Sequence, residues 1–383
     1  MNYKKMHLET CGVTVEMTTF ATAQGLEERH AILHVAPQGE IFTRQLQRLY
    51  DAEQRLATII QAEGKPARCV MKRYFLSDST NQEPCMRQEC GVAVSFIQQQ
   101  PLDGSKVAVW MYFLCGEGVQ VEERHGMVVA AHGGYQHLWK MGMHETQGDS
   151  AQQTTAVLTA YEAQLAAFGA TIADNCIRTW FFVRDVDTQY AGLVAARRQN
   201  FIEQGLTEQT HYIASTGIGG SPAAPKALIQ LGCYAMTGFR PEQQHYLYAP
   251  THLNPTYEYG VTFERGTVME YGDRAHVFIS GTASINNKGE VVHIGDIVGQ
   301  TRRMWENVEK LLEEADTSFD DVMQIIVYLR DTADYDIVRS MFEQRFPNTP
   351  WVITLAPVCR PTWLIEMECV AVKERQHDNY LPF

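Results

Sequence analysis

The chain has no run of 18 apolar residues and no leader in which basic residues precede an apolar stretch. A helix that crosses a bilayer needs about 20 apolar residues, and a secretory signal needs a basic segment followed by an apolar one. The composition, 45% hydrophobic and 20% charged, is typical of a globular protein. We therefore expect a cytoplasmic protein that does not associate with membranes.

Patterns typical of metal sites and disulfides are also missing. The nine cysteines include no CxxC pair, form an odd number and lie mostly in apolar, strand-like surroundings. No HExxH motif occurs, and His125, His132 and His137 are not spaced as paired metal ligands on a helix. These features argue against a disulfide framework and against a zinc site. We expect reduced cysteines and chemistry that needs no metal or cofactor.

Positive charge is scarce, since 32 Lys and Arg against 45 Asp and Glu give a formal net charge of -13. Such a chain repels a polyanion, and no stripe of basic residues interleaved with aromatic ones occurs, so nucleic-acid binding is not expected. A small anion is a different case, because a few converging arginines dominate locally when other charges are screened beyond about 10 Å. The partner we expect is a small carboxylate-bearing metabolite.

What the chain does contain is a repeated strand that ends in aspartate. Aromatic and branched residues precede Asp78, Asp185 and Asp331, and each copy follows an amphipathic helix and comes before a strand that ends at a proline. A whole folding unit is therefore repeated, and each unit is near the usual size of a domain. The predicted boundaries are 1–116, 117–236 and 263–383 for the three units and 237–262 for a tyrosine-rich connector.

The third unit has the clearest pattern of elements. Alternating residues at 276–282 and 291–294, on either side of an Asn-Asn-Lys-Gly turn, predict a hairpin. An apolar stripe over 300–315 predicts a helix that lies on a sheet. The second unit repeats this order. The first has a predicted helix at 42–62, but too few residues follow Asp78 for a second full helix.

Four motifs of the third unit occur together with this order of elements: Ser280-Gly281-Thr282, Gly295-Asp296, Gln300-Thr301-Arg302 and Ile365-Glu366-Met367-Glu368. Their combination resembles the YjgF/YER057c/UK114 family, also called RidA, over residues 263–372. Single-unit members of that family assemble as trimers with ligand sites between subunits. The resemblance implies an α+β fold of the chorismate mutase-like (bacillus) type, in which three tandem units form an intramolecular pseudo-trimer. Its three clefts need not be equivalent.

Imine deaminases of this family hold the substrate carboxylate with an arginine near the start of the penultimate strand. Counted back from the proline that ends the strand, the matching positions are Val352, Ile213 and Val92, and all three are apolar. This departure argues against a 2-iminoacid deaminase, which we keep as an alternative.

A second resemblance rests on residues 280–285 and on Cys359-Arg360-Pro361 followed by Glu366. In these features and in length, the chain is similar to the chorismatases, larger family members that release pyruvate from the enolpyruvyl ether of chorismate. In those enzymes the glutamate is the acid. In the branch that forms 3-hydroxybenzoate, a cysteine lines the ring pocket and a glycine lies near the start of the third unit, at the places of Cys359 and Gly272. The loop at 286–290 departs from the pattern, since the chorismatase loop contains a histidine.

Cleavage of an enol ether requires a proton on the methylene carbon, and a glutamate in a partly apolar cleft has a raised pKa that keeps it protonated near neutral pH. Glu366 and Glu368 share one face of the strand predicted at 363–372, as two glutamates on an exposed face also would. The resemblance favours Glu366 as the catalytic acid. Cys359 is the second catalytic candidate, because the neighbouring Arg360 would lower its pKa, although a packing role is commoner.

Other residues are predicted to bind the substrate. The glycine-rich stretch 211–221 takes the place in unit two that 354–361 takes in unit three, so its hydroxyl and N–H groups would line another seam. Cationic side chains could neutralise a dianion, although each alone is more often a solvated surface charge. The predicted binding residues are Arg360, Tyr212, Ser215, Thr216, Lys226, Arg265, Gly272 and Gly281.

Three functions remain open on these grounds. The first is a chorismatase-like hydrolase that releases pyruvate from chorismate or a related aromatic-pathway acid. The alternatives are a RidA-type 2-imine or enamine deaminase and a non-catalytic protein that binds or responds to a small ligand. We expect a monomeric pseudo-trimer, with homodimer formation left open.

Overall fold

A computed structural model of the chain describes residues 1–383, apart from the side chain of Tyr259. The first unit contains β1 (Asn2–Leu8), β2 (Val13–Phe20), β3 (Glu27–Val35), α1 (Phe42–Ala62), β4 (Ala67–Leu76), α2 (Ser79–Gln82), β5 (Ala93–Gln98) and β6 (Val107–Cys115). The second contains β7 (Gln120–Arg124), β8 (Met127–His132), β9 (Tyr135–His144), α3 (Ser150–Ala166), α4 (Ile172–Asn175), β10 (Cys176–Val183), α5 (Val186–Glu203), β11 (Ala214–Gly219) and β12 (Ile229–Thr237). The third contains β13 (Gln244–Leu247), β14 (Gly266–Glu270), β15 (Arg274–Ala283), α6 (Ile297–Glu314), β16 (Val322–Leu329), α7 (Tyr335–Arg345), β17 (Trp351–Leu355) and β18 (Ile365–Glu374).

The three units share one sheet topology. The strand orders are β1-β2-β3-β6-β4-β5, β7-β8-β9-β12-β10-β11 and β13-β14-β15-β18-β16-β17. The last pair in each order is parallel, and its two strands are joined by the crossover segment that contains the last helix of the unit. The chain is therefore a triplication of an α+β unit, in which the last strand in sequence lies inside the sheet.

Each sheet buries one face under its own helices and the other against the other two units. The helix α1 shows the first kind of packing, since Leu46, Leu49 and Leu56 lie one to two turns apart and are buried on the first sheet. On the opposite faces, Trp110 of the first unit and Trp180 of the second belong to one continuous core with most of the third sheet. This shared core makes the three units one pseudo-trimer, and it places the candidate site at a seam.

The hairpin predicted for the third unit is wrong in its second strand. The strand β15 pairs with β14, which precedes it, whereas residues 291–294 contribute one isolated bridge between Ile285 and Val291. His293 has a φ of 59°, in the left-handed region that a strand cannot contain, so the chain turns there. Part of the predicted connector 237–262 also differs, because it supplies β13, which forms the edge of the third sheet.

The second helix of the first unit is reduced to the four residues of α2, as the short segment after Asp78 predicts. The described part of the chain includes no helix of sufficient length and apolar character to cross a membrane.

Candidate active site

A cavity of about 470 Å³ lies between the second and third units. The strand β11 and the helix α5 of the second unit form one wall, and β15, β18 and the loop at 356–364 form the other. Backbone contacts hold the walls together, since Ala214 bridges to Glu264 and Ile218 bridges to Val358. A volume of this size suits a small metabolite.

Glu366 lies at the bottom of this cavity, on the inner face of β18. It is 4% exposed, and none of the described residues forms a hydrogen bond or ion pair with its carboxyl group. The backbone of Gly281 lies directly against it, because a Cβ atom at that position would be 2.1 Å from Glu366 Oε1. Burial, and then the negative charge of Glu368, raise the pKa of Glu366 to about 8, against the opposing effect of Arg178 and Arg265. The group is therefore a protonated carboxylic acid at neutral pH.

Glu368, two residues along the same strand face, is in the opposite state. Its carboxylate accepts hydrogen bonds from Arg178 Nη2 at 2.8 Å, from Arg73 Nη1 at 3.1 Å and from Trp180 Nε1 at 2.9 Å. Burial alone would raise its pKa, but the two guanidinium groups lower it below the usual range. One strand thus carries a neutral acid and an ionised partner, and such pairs mark groups with acid–base roles.

Cationic side chains give the cavity a positive character. Its lining includes the guanidinium groups of Arg197, Arg198, Arg265 and Arg360, whereas Glu366 is its one carboxyl group among the described residues. Neighbours orient these groups: Arg265 Nη2 donates to Asn254 O at 2.9 Å, and the Arg360 guanidinium stacks 4.6 Å from the ring centre of Trp363. An overall charge of -13 therefore coexists with a local site suited to an anion.

The structure brings Cys359 to the cavity wall, but as a neutral thiol. Burial, and then the charge of Glu366, raise the pKa of Cys359 to about 12. A thiolate is the nucleophilic form, so the arrangement fits a residue that shapes the pocket rather than one that attacks the substrate.

Of the predicted binding residues, Ser215, Gly281, Arg265 and Arg360 line the cavity. Thr216 lies directly behind it, where its hydroxyl donates to Glu368 and accepts from the N–H of Gly281 at 2.9 Å. These residues come from two units and meet only through the pseudo-trimer.

Three predicted binding residues lie outside the described lining of this cavity. Tyr212 packs in the core of the second unit, and its N–H donates to Glu264. Lys226 lies in the loop before β12, where its carbonyl accepts from Gln153. Gly272 forms the turn between β14 and β15, and a Cβ atom there would lie 2.5 Å from Tyr380 O. The predicted glycine that lies against the acid is therefore Gly281, whereas Gly272 lies in a turn that packs on the C-terminal segment.

Sequence reasoning did not identify Arg197 and Arg198. They occur side by side in α5, and a helix of a surface layer commonly carries such charges towards solvent. Their position in the cavity depends on how the second unit packs against the third. The described residues contain no group of three or more His, Cys, Asp or Glu side chains placed to hold a metal ion.

Comparison with known proteins identifies the family. The sequence profile described as Endoribonuclease L-PSP matches residues 268–373. The 3-aminoacrylate deaminase RutC of Acinetobacter baylyi is 33% identical over 98 residues, which are 25% of this chain and 77% of that protein. The chain belongs to this family, which is also called YjgF/YER057c/UK114 or RidA.

Two further relatives cover more of the chain. A 3-hydroxybenzoate synthase of Streptomyces hygroscopicus is 28% identical over 273 residues, 65% of this chain and 77% of that protein. The crystal structure of a chorismatase matches with a TM-score of 0.64 at 20% identity and covers 80% of this chain and 98% of that chain. The predicted fold of three tandem units is thus confirmed, and within the family the chain resembles the chorismatase branch.

Proposed function

We propose that the protein is a chorismatase-like hydrolase in which Glu366 protonates the enolpyruvyl ether of chorismate or a related aromatic-pathway acid. The observation that carries the proposal is the state of Glu366, a buried carboxylic acid that faces a cavity without a hydrogen-bond partner among the described residues. Its pKa of about 8 keeps the proton available at neutral pH. The similarity to a 3-hydroxybenzoate synthase over 273 residues supports the same class of reaction.

The reaction follows from this proton. Glu366 transfers it to the methylene carbon of the enol ether, which leaves a carboxylate on the enzyme and an oxocarbenium ion on the substrate. Water attacks that ion to form a hemiketal, and the bond between the hemiketal carbon and the ring oxygen then breaks, which releases pyruvate and leaves the ring oxygen as a hydroxyl group. Because Glu366 is ionised at that stage, it can take back the proton that the attacking oxygen loses.

The arginines of the cavity serve to bind the substrate. Arg265 and Arg360 line the cavity from the third unit, and Arg197 and Arg198 line it from α5 of the second. Planar guanidinium groups match carboxylates, and a substrate of this class carries two of them. The apolar lining, which includes Phe263 and Trp363, suits the ring between them.

The test is the release of pyruvate, measured with a coupled lactate dehydrogenase assay, when the pure protein is incubated with chorismate. We expect turnover by the wild type and a loss of about 10²-fold or more in Glu366→Gln, which keeps the shape but cannot donate a carboxyl proton. Gln230→Ala, at the matching position of the second unit, is the control and retains activity. A wild type that forms no pyruvate would refute the proposal.

A deaminase is the second candidate, because the RutC relative is 33% identical to this chain over 98 residues. Val352, the residue at the position counted for the deaminase arginine, is buried in β17 and offers no cation to a substrate carboxylate. A deaminase would have to use Arg265 or Arg360 instead. Ammonia release from freshly generated 2-iminoacids, lost in Glu366→Gln, would favour this candidate. Thermal stabilisation by aromatic carboxylates without turnover of either kind would indicate a binding protein.

A further inference from the structure

Behind the cavity, Glu368 joins all three units in one buried ion cluster. Arg73 comes from β4 of the first unit, Arg178 from β10 of the second and Glu368 from β18 of the third. The two arginine side chains and the carboxylate are at most 3% exposed. The first unit contributes none of the described residues that line the cavity, and Arg73 is its link to the site.

We propose that Glu368, held by Arg73 and Arg178, is a positioning residue that keeps Glu366 in its acid form and in its place in the cavity. This inference rests on the proposed function, because it concerns the acid that the function uses. It adds a role for the first unit, which supplies part of the charge balance of a site that it does not line.

The charges around Glu366 explain how Glu368 keeps it in its acid form. Glu368 repels the ionised form of Glu366, whereas Arg178 and Arg265 attract it. Tyr328 and Cys359 also face this carboxyl, and both remain neutral at pH 7 because burial raises their pKa. If Glu368 were neutral, the attraction of Arg178 and Arg265 would act on Glu366 unopposed, and Glu366 would lose its proton more readily.

A chain of hydrogen bonds explains how Glu368 keeps Glu366 in its place in the cavity. The Thr216 hydroxyl donates to Glu368 Oε2, and the same oxygen atom of Thr216 accepts from the N–H of Gly281. Gly281 is the residue whose backbone lies against Glu366. Glu368 therefore fixes the wall that holds the catalytic acid, as well as the charge behind it.

The experiment measures the protonation of Glu366 directly. The carbonyl band of its carboxylic acid is followed by infrared difference spectroscopy across a pH series and is assigned by its absence in Glu366→Gln. The wild type should lose the band with a midpoint near pH 8. In Glu368→Gln the midpoint should fall by at least one pH unit, a tenfold change in acid strength, and the basic limb of the pH profile of kcat should move with it. Glu368→Asp, which keeps the charge, should restore a midpoint closer to that of the wild type.

Two variants protect the test from trivial outcomes. Glu28→Gln removes an equally buried carboxylate from the separate cluster with Arg274 and His276, so it controls for general destabilisation and should leave the midpoint unchanged. If Glu368→Gln does not fold, the double variant Arg73→Met with Glu368→Gln removes one charge of each sign and should show the same lowered midpoint. An unchanged midpoint in a folded variant without the Glu368 carboxylate overturns the inference.

The infrared readout also separates this inference from the proposed function, because it needs no substrate. A shifted midpoint with no pyruvate from chorismate would refute the function and leave the positioning role intact. Pyruvate release with an unshifted midpoint would do the reverse.

Discussion

Two clefts of the pseudo-trimer differ at one corresponding position. Glu366 lies opposite Tyr328 in the third sheet, and Gln230 lies opposite Phe182 in the second. Both sheets have a register shift at the same place in the next strand pair, and the shift contains Gly281 in one sheet and Gly142 in the other. The two clefts thus share these strand pairings, and at this position they differ by an acid against an amide.

The cleft between the first and second units is closed around this amide. Gln230 Nε2 donates to Ser95 Oγ at 3.1 Å, and a Cβ atom at Gly142 would lie 3.3 Å from Val94 O. The first unit has the four residues of α2 where the second has the long helix α5, so this cleft has no helical wall. A neutral amide can pair with a hydroxyl and close a seam, whereas Glu366 faces open space and keeps its proton for a reaction.

The largest effect that separates the clefts should come from the two glycines. Gly281→Ala places a methyl group 2.1 Å from Glu366 Oε1, so the acid must move; a shift of about 1 Å can cost about 10²-fold in turnover. Gly142 has a φ of 72°, so Gly142→Ala strains the backbone by about 1–2 kcal/mol but leaves the open cleft intact. Pyruvate release should fall in Gly281→Ala and be kept in Gly142→Ala. Urea unfolding should show the larger loss of stability in Gly142→Ala. Equal loss of turnover in both would show that the clefts are functionally coupled.

The second effect concerns stability against pH. The pKa of Glu366 is raised from 4.5 to about 8 in the folded protein, so folding favours the protonated group. Its contribution is fully present below pH 4.5 and is lost as the pH rises towards 8, at a slope of up to about 1.4 kcal/mol per pH unit. Glu366→Gln turns this position into an amide like Gln230 and should remove this slope.

Urea unfolding of both proteins between pH 4 and 9 measures the difference. The free energy of unfolding of the wild type, relative to Glu366→Gln, should decrease through this window. If the difference in the free energy of unfolding between the two proteins is constant from pH 4 to 9, Glu366 is ionised in the folded state. The two clefts would then differ in shape alone.

The triplication could be predicted from the sequence because it depends on local patterns. An apolar stripe and a buried strand are each visible within a short stretch of sequence, and α1 begins and ends where the sequence predicts. The false strand at 291–294 shows the limit of such patterns. It follows a turn sequence that favours a hairpin, but the pairing partner of β15 is β14, and nothing local in the sequence distinguishes the two.

The residues of the candidate site also fall into two groups, those that a local motif predicts and those that depend on contacts between units. Glu366, Cys359 and Arg360 were found because they lie within eight residues in a family motif. Arg197 and Arg198 were missed, since they reach the cavity only when α5 of one unit faces β18 of another. Contacts between units depend on residues far apart in the chain, and the spacing of apolar residues along the sequence does not predict such contacts.

A smaller effect is expected from the hydroxyl group that closes the inactive cleft. Ser95→Ala leaves the Gln230 amide buried without its partner, at a cost of about 1–3 kcal/mol in the free energy of unfolding. Turnover should not change, because the open cleft uses β11 rather than β5. Ser215→Ala is the comparison variant in the wall of the open cleft, where the loss of stability should be smaller, since the remaining Thr179 hydroxyl can rotate to another acceptor. A loss of turnover in Ser95→Ala would contradict the assignment of the closed cleft as scaffold.

The smallest effect should come from the arginine that follows the repeated strand in the second and third units. Arg330 of the third unit pairs with Asp187 of α5 in the second unit at 2.8 Å and also donates to Val358 O in the loop that carries Cys359. Arg184, its counterpart in the second unit, donates to backbone carbonyls such as Ala227 O within its own unit. Asp187 is 46% exposed, so Asp187→Asn should cost only about 0.2–1 kcal/mol at low salt and less at high salt.

The sign of the pH effect tests the same pair. Hydrogen bonding to Arg330 lowers the pKa of Asp187, so its contribution is present above the unfolded pKa and is lost as the pH falls through the folded one. Thermal unfolding of Asp187→Asn and wild type at low and high salt should therefore converge in acid. Arg184→Gln should show no such salt dependence, because its carbonyl partners carry no charge. If the two variants respond alike to salt, the ion pair between the second and third units does not distinguish their seam from the closed cleft between the first and second units.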